Sequence, residues 1–273
     1  MHLKIPFLSK KKKPKIGLAL GGGGAKGLAH IYVLKALDEL NIKPDVIAGC
    51  SMGALIGSLY ASGLSGLEIE GIAKNFGFKN ALGLLDFSIF NKTGLVKGNH
   101  VIKWLEQNLG TSSFSKLKIP LKIVATDFWN KKEVVFDKGN VVEAVRCSIS
   151  IPGVFEPYSY KGNVFVDGGV VNPVPYDAIR DECDVLIAVD VMREKEVTSK
   201  KNTNKPKLKD LIYVYTIMYE KTETYKLQIC KPDIYLRANP ENISIFDFHK
   251  IKEVEKYVKD DIKKFKKELK KIF

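Results

Sequence analysis

Hydrophobic and polar positions along this chain fall into blocks that read as strand, turn and helix. Ile16-Gly-Leu-Ala-Leu20 is an apolar run of strand length. Gly21-Gly-Gly-Gly-Ala-Lys-Gly27 follows at once, and Leu28, Ile31, Leu34, Leu37 and Leu40 then recur at helical spacing. Pro44 precedes a second short apolar run at Asp45-Val-Ile-Ala48, and Met52 to Ala61 reads as a buried helix. Strand, glycine loop, helix, strand and helix make a βαβα unit, which predicts an α/β fold on a mainly parallel sheet.

Further along, the pattern from Leu64 to Asn91 weakens into short helical pieces and glycine turns, as in a cap region beside the second strand end. Gly98 to Leu109 predicts a helix, Pro120 to Thr126 a strand with Lys132–Phe136 as hairpin partner, and Val141–Ser148 a short helix stopped by Pro152-Gly153. Strands follow at Asn163–Val166, Asp184–Val189 and Asp233–Leu236, with an aromatic-studded helix at Leu211–Ile229 before the last. Residues 194–209 are polar and aperiodic, as in an exposed loop. Residues 250–273 predict one helix with a narrow apolar stripe under a lysine face. That stripe suits packing on the body of the protein; lying on a membrane surface is the sharper alternative. The expected organisation is a basic tail over 1–14 and a single domain over 15–273, with no internal repeat.

The junction of the second strand and its helix carries Gly49-Cys-Ser-Met-Gly53, the Gly-x-Ser-x-Gly spacing of a nucleophile elbow. A strand that turns sharply into a helix strains the central residue and needs nearly side-chain-free neighbours two positions away. Ser51 would then stand above the sheet end, over a helix N-terminus that favours developing negative charge. A glycine-rich turn with a capping serine has the same pattern, so further elements have to decide.

The glycine loop supplies one. Gly22-x-Gly24-x-x-Gly27 meets the dinucleotide fingerprint, but the acid that holds the ribose is missing: Asp45 opens the second strand and Ser51 occupies its end. A phosphate loop of the Walker type fails as well, since Lys26 is followed by Gly27 rather than Ser or Thr. The third reading is an oxyanion hole, with backbone N–H groups of Gly22, Gly23 and Gly24 aimed beside Ser51 from an adjacent strand end. A serine nucleophile also needs a base. Of His2, His30, His100 and His249, only His249 fits the order Ser…Asp…His, and Asp247 beside it reads as a helix cap. Asp167 is the better partner: it ends an apolar strand, and Gly168 and Gly169 leave its carboxylate open. An aspartate can serve as base if burial raises its pKa.

Composition and charge narrow the setting. The 273 residues suffice for a full α/β core, and four widely spaced cysteines match no disulfide or metal framework, which suggests buried free thiols. No metal or cofactor is expected. Net charge is +13, concentrated at the ends: residues 1–15 hold six lysines and no acid, and 250–273 ten lysines against five acids. The rest is close to neutral. Such basic ends suit an anionic surface, although a lysine-rich thermophilic composition would look alike. The first fifteen residues lack the apolar core of a signal peptide and no stretch reaches bilayer length, so a cytoplasmic protein is expected.

Taken together, Gly22-Gly-Gly-Ala-Lys-Gly27, Gly49-Cys-Ser-Met-Gly53 and Asp167-Gly-Gly169 resemble, in order, the three signatures of patatin-like phospholipases, most like the compact bacterial members. Ser148-Ile-Ser-Ile-Pro-Gly-Val-Phe-Glu-Pro157 is similar to that family too, and the similarity runs from about Lys15 to Ala188. The resemblance implies a three-layer α/β/α sandwich and a Ser–Asp dyad, with Ser51 as nucleophile and Asp167 as general base. It also implies the glycine loop as oxyanion hole, hydrolysis of a phospholipid or lysophospholipid acyl ester, and no metal. The basic ends are not part of the family's pattern; for them peripheral contact with an anionic surface at the inner face of the membrane is expected, and no nucleic acid.

Overall fold

A computed structural model describes residues 13–80, 97–192 and 211–273. At its centre, strands β3 (Leu121–Asp127), β2 (Val46–Cys50), β1 (Ile16–Leu20), β7 (Val185–Asp190) and β8 (Ile234–Arg237) lie side by side, all parallel. Every residue of β1 and β2 is buried. That burial needs both faces of the sheet covered, which explains why these strands read as unbroken apolar runs rather than alternating ones. Helices α1 (Ala29–Glu39), α2 (Met52–Ser62), α4 (Asn99–Leu109) and α5 (Val141–Ser148) flank the sheet in a three-layer α/β/α arrangement. The expected fold class is therefore the observed one.

Three antiparallel strands extend the sheet: β4 (Lys132–Phe136) and β6 (Asn163–Asp167) both pair with β3, and β5 (Tyr158–Tyr160) pairs with β6. The register carries a consequence for the site. At Ile123 and Val124, β3 is bonded to both β2 and β4, and from Ala125 to Asp127 to both β4 and β6. A strand has two edges, so β2 and β6 share one edge of β3, end to end. Cys50 pairs with Val124 and Asp167 with Ala125, the next residue along. The C-terminal ends of β2 and β6 thus meet head-on.

Local signals account for most boundaries. Asn140 caps α5 by accepting the Val142 N–H at 2.8 Å, and Gly63 ends α2 in the left-handed region at φ 108°. The segment after α2 departs from expectation: Gly66–Asn80 is one continuous helix, α3, rather than short pieces. Its start is a reciprocal capping box, in which the Ser65 N–H donates to Glu68 Oε2 at 2.7 Å and the Glu68 N–H to Ser65 Oγ at 3.3 Å. Glu70 then anchors it to α1 by an ion pair with Lys35 and pairs along α3 itself with Lys74. The rest of the expected cap region, with the tail over residues 1–12 and the loop at 194–209, lies outside the described residues.

The last two helices are α6 (Leu211–Ile229) and α7 (Ile251–Ile272). On α7 the stripe Ile251, Val254, Val258, Phe265 and Leu269 is buried in the main core, and Lys266 pairs with Glu39 of α1. The packing role is the observed one, and the stripe is not free to enter a membrane. Among the described residues no helix is long and apolar enough to cross one. Asp247 is not the expected side-chain cap; its carboxylate accepts the Ser244 N–H and the Lys250 ammonium, both at 2.9 Å. Cys50 and Cys147 are buried free thiols, whereas Cys183 and Cys230 are only half-buried.

Candidate active site

Ser51 sits between the last residue of β2 and the first of α2, in the left-handed region at φ 53° and ψ −121°. A non-glycine residue there costs of order 1–3 kcal/mol and persists only where its surroundings hold it. Close packing does so. A Cβ on Gly49 would lie 2.6 Å from the Ala54 Cα, and one on Gly53 would strike the Leu20 carbonyl. From the far side, the Ser51 N–H donates to Ser148 Oγ at 2.8 Å, and the Ser148 hydroxyl donates to the Val124 carbonyl at 2.6 Å. The serine at the end of α5 thus braces the elbow against β3.

The head-on meeting of β2 and β6 brings Asp167 to the same place. Its carboxylate is fully buried. Oδ1 accepts the Gly169 N–H at 2.8 Å and the Tyr215 hydroxyl at 3.0 Å, with the Cys50 thiol at 3.8 Å. Oδ2 is buried without a hydrogen-bond partner. Burial pushes the Asp167 pKa up to about 6, while the Ser51 hydroxyl, the Gly169 N–H, the Tyr215 hydroxyl and the Cys50 thiol pull it down. The Cys50 thiol itself is held well above its usual range by burial first and by Asp167 second, so it stays protonated beside the serine.

The glycine loop closes the third side. Gly22 faces the nucleophile: a Cβ there would lie 3.3 Å from that of Ser51. Its N–H is already given to the Pro173 carbonyl at 2.9 Å, and the Ala25 N–H to Ile245 at 2.8 Å. The N–H groups of Gly23 and Gly24 have no acceptor among the described residues. Gly27 packs against Met52, and Gly168 lies on the Val124 carbonyl and the Cys50 sulfur. Lys26 donates to Asn239 at 2.9 Å. Asp45 accepts the Ile16 N–H at 2.7 Å at the opposite end of the sheet, out of reach of any ribose. Neither nucleotide reading has its ligand.

Ser51 lines a pocket whose other lining residues are all apolar. Met52, Leu55, Ile56 and Leu59 form one face of α2 along it, about 10 Å at 1.5 Å per residue. Ile69 and Ala73 of α3 and Val101 and Trp104 of α4 complete its far wall. Ile245, Phe246 and Phe248 also line it, yet His249 is exposed and does not. His30 is buried with Nε2 2.7 Å from the Gly21 carbonyl, and burial lowers its pKa to about 4, so it is a neutral packing residue.

Two participants escaped the sequence reading. Arg146 is buried and donates to Ser150 Oγ at 2.6 Å, to the Lys97 carbonyl at 2.6 Å and to the Glu156 carbonyl at 3.2 Å. Ser150 in turn accepts the Asp167 N–H on its carbonyl at 2.9 Å. Tyr215 comes from α6, 48 residues beyond Asp167. The only trace of it in the sequence is indirect: a residue at position 169 must leave room for its hydroxyl.

A strained serine, a buried carboxylate and an apolar pocket thus share one end of the α/β sheet. A family model described as patatin-like phospholipase matches residues 18–179, more than half of the chain, and the chain belongs to that family. It is 38% identical over 177 residues to an uncharacterized NTE family protein of Mycobacterium tuberculosis, covering 64% of this chain and 49% of the relative. It is 31% identical over 225 residues to neuropathy target esterase sws of Drosophila melanogaster, covering 80% and 15%. With lysophospholipase NTE1 of Cryptococcus neoformans the identity is 32% over 180 residues, covering 65% and 11%. The chain thus spans half or less of the length of these curated relatives. VipD of Legionella pneumophila shares the fold at a TM-score of 0.50 and 12% identity, over 93% of this chain and 67% of that one.

Proposed function

We propose that residues 15–273 form one acyl hydrolase domain that cleaves a lipid acyl ester through Ser51 and Asp167. The observation that carries this reading is the Oδ2 of Asp167, buried without a partner beside a strained serine that lines an apolar pocket. An orphaned buried carboxylate oxygen is costly unless something uses it.

In the proposed reaction the acyl chain lies along α2 and the ester carbonyl carbon meets Ser51 Oγ. The Oγ–C bond forms as the serine proton passes to Asp167. The carbonyl oxygen becomes an oxyanion held by the N–H groups of Gly23 and Gly24, while Gly22 supplies the close approach rather than a donor. Asp167 returns the proton to the departing alcohol oxygen. Water then gives a proton to Asp167 as its oxygen bonds to the acyl carbon; the Ser51 Oγ–C bond breaks, Asp167 returns the proton to Oγ, and the fatty acid leaves. No step calls on a metal or on His249. The name of the fungal relative, a lysophospholipase, favours a lysophospholipid, and the apolar lining of the pocket suits an acyl chain. The expected setting is the cytoplasmic face of an anionic membrane.

A fluorophosphonate probe should label the folded protein at Ser51 and spare the Ser51→Ala variant. A lipid ester screen with Ser51→Ala as blank then identifies the substrate. Folded protein that refuses the probe would overturn the reading.

A further inference from the structure

Helix α6 turns the polar ends of Tyr215, Tyr219, Glu223 and Lys226 into the protein, while an apolar ridge that includes Ile217, Met218 and Ile229 faces outward. Tyr215 meets Asp167, and one turn further on Tyr219 meets the glycine loop. Tyr219 is fully buried. Its hydroxyl donates to Asp190 Oδ1 at 3.2 Å and to the Gly22 carbonyl at 3.4 Å, one proton shared between two acceptors. Asp190 ends β7 and is fixed in turn: Oδ1 also accepts the Met192 N–H at 2.9 Å, and Oδ2 the Tyr235 hydroxyl at 2.7 Å. The Tyr219 hydroxyl also presses on the loop, since a Cβ on Gly21 would lie 2.9 Å from it.

In a planar trans peptide the N–H points opposite to the carbonyl, so whatever holds one end aims the other. The successive peptides of the loop are held in different ways. Gly21–Gly22 is fixed at both ends, with its carbonyl 2.7 Å from His30 Nε2 and its N–H given to the Pro173 carbonyl at 2.9 Å. Gly23–Gly24 is fixed by its own turn, because the Gly23 carbonyl accepts the Lys26 N–H at 3.1 Å. Gly22–Gly23 instead depends on Tyr219, which lies 197 residues along the chain. Glycine on both sides leaves that peptide freer to rotate than any other pair of residues would. Its N–H, that of Gly23, has no acceptor among the described residues.

Given the hydrolase reading, on which this rests, we infer that Tyr219 is a positioning residue for the oxyanion hole. By holding the Gly22 carbonyl it keeps the Gly23 N–H aimed at the reacting ester. When that N–H donates to an oxyanion, the polarised peptide makes the Gly22 oxygen a better acceptor, so the Tyr219 bond strengthens as charge develops. An interaction that grows toward the transition state belongs in kcat rather than KM.

The test compares Tyr219→Phe with Tyr235→Phe in the full chain, on 4-nitrophenyl butyrate and on the fluorophosphonate. Each variant takes one tyrosine hydroxyl from Asp190, but only Tyr219 also bonds the Gly22 carbonyl. Tyr219→Phe should lower kcat by at least about tenfold with KM within about threefold, and slow phosphonate labelling alike. Tyr235→Phe should keep both rates within about threefold of wild type. No rate loss in Tyr219→Phe would overturn the proposal. So would equal losses in the two variants, which would reduce Tyr219 to a support for Asp190. A crystal structure of phosphonylated wild type needs no variant: the Gly23 nitrogen should lie within about 3.2 Å of the phosphonyl oxygen. A Gly23 N–H turned away from that oxygen would also overturn the proposal. Folded wild type inert to both reagents would remove the hydrolase reading itself, and the positioning role with it.

Discussion

The Tyr215 hydroxyl donates to Asp167 Oδ1 at 3.0 Å, in the space that a side chain at Gly169 would occupy. The bond favours the charged carboxylate, so it opposes the effect of burial on Asp167. Tyr215→Phe should therefore raise the Asp167 pKa and move the acid limb of the pH–rate profile to higher pH. In wild type that limb should lie near 6, with hydrolysis rising as the carboxylate ionises. The variant should lose more activity at pH 6 than at pH 8; a uniform loss would argue against the positioning role. Gly169→Ala should be strongly impaired and partly rescued by Tyr215→Phe, which frees the contested space.

Removing either reacting group should abolish hydrolysis, so Ser51→Ala and Asp167→Asn should both be inactive in folded protein. His249→Ala should retain most activity, since that histidine is exposed and outside the pocket lining. Loss of activity in the histidine variant would restore a Ser-Asp-His triad.

Asp167→Asn should also change stability with a definite sign. A carboxyl near 6 in the folded state against 3.8 in the unfolded one binds its proton more tightly when folded. Its contribution is present below pH 3.8 and is lost as pH rises through about 6, by an order of 3 kcal/mol. The asparagine variant should thus be more stable than wild type at pH 8, with the difference closing toward pH 4. Urea melts at the two pH values measure it.

Arg146 holds three acceptors around the chain that supports Asp167. Arg146→Met keeps much of the volume but strands two part-buried carbonyls and the buried Ser150 hydroxyl, and should cost about 2–4 kcal/mol in urea unfolding. An unchanged midpoint would show that water replaces the guanidinium.

Pocket depth should set chain length. Ala73→Phe fills the far wall opposite α2 and should lower the ratio of long-chain to short-chain kcat/KM by about tenfold. An unaltered ratio would place the acyl chain elsewhere.

The sequence by itself determined the local pieces of this protein. Apolar runs placed β1, β2, β3 and β7 within a residue or two, because strands buried on both faces have no alternative pattern. Gly49-x-Ser51-x-Gly53 named its own strained turn, since only glycine tolerates backbone contacts that close. It misjudged α3, where the Ser65–Glu68 capping box offsets glycines at 66, 71 and 77 that read as breaks. It passed over β5, which is three residues long. What only the tertiary structure decided is how distant pieces meet. Ser51 and Asp167 are neighbours because β2 and β6 abut on one edge of β3, at Val124 and Ala125. Strand register carries no local signature in the sequence. The same holds for Tyr215 against Asp167, for the prior use of the Gly22 N–H by Pro173, and for the outward apolar ridge of α6. Periodicity shows that a helix has two faces, but packing chooses which of them is buried.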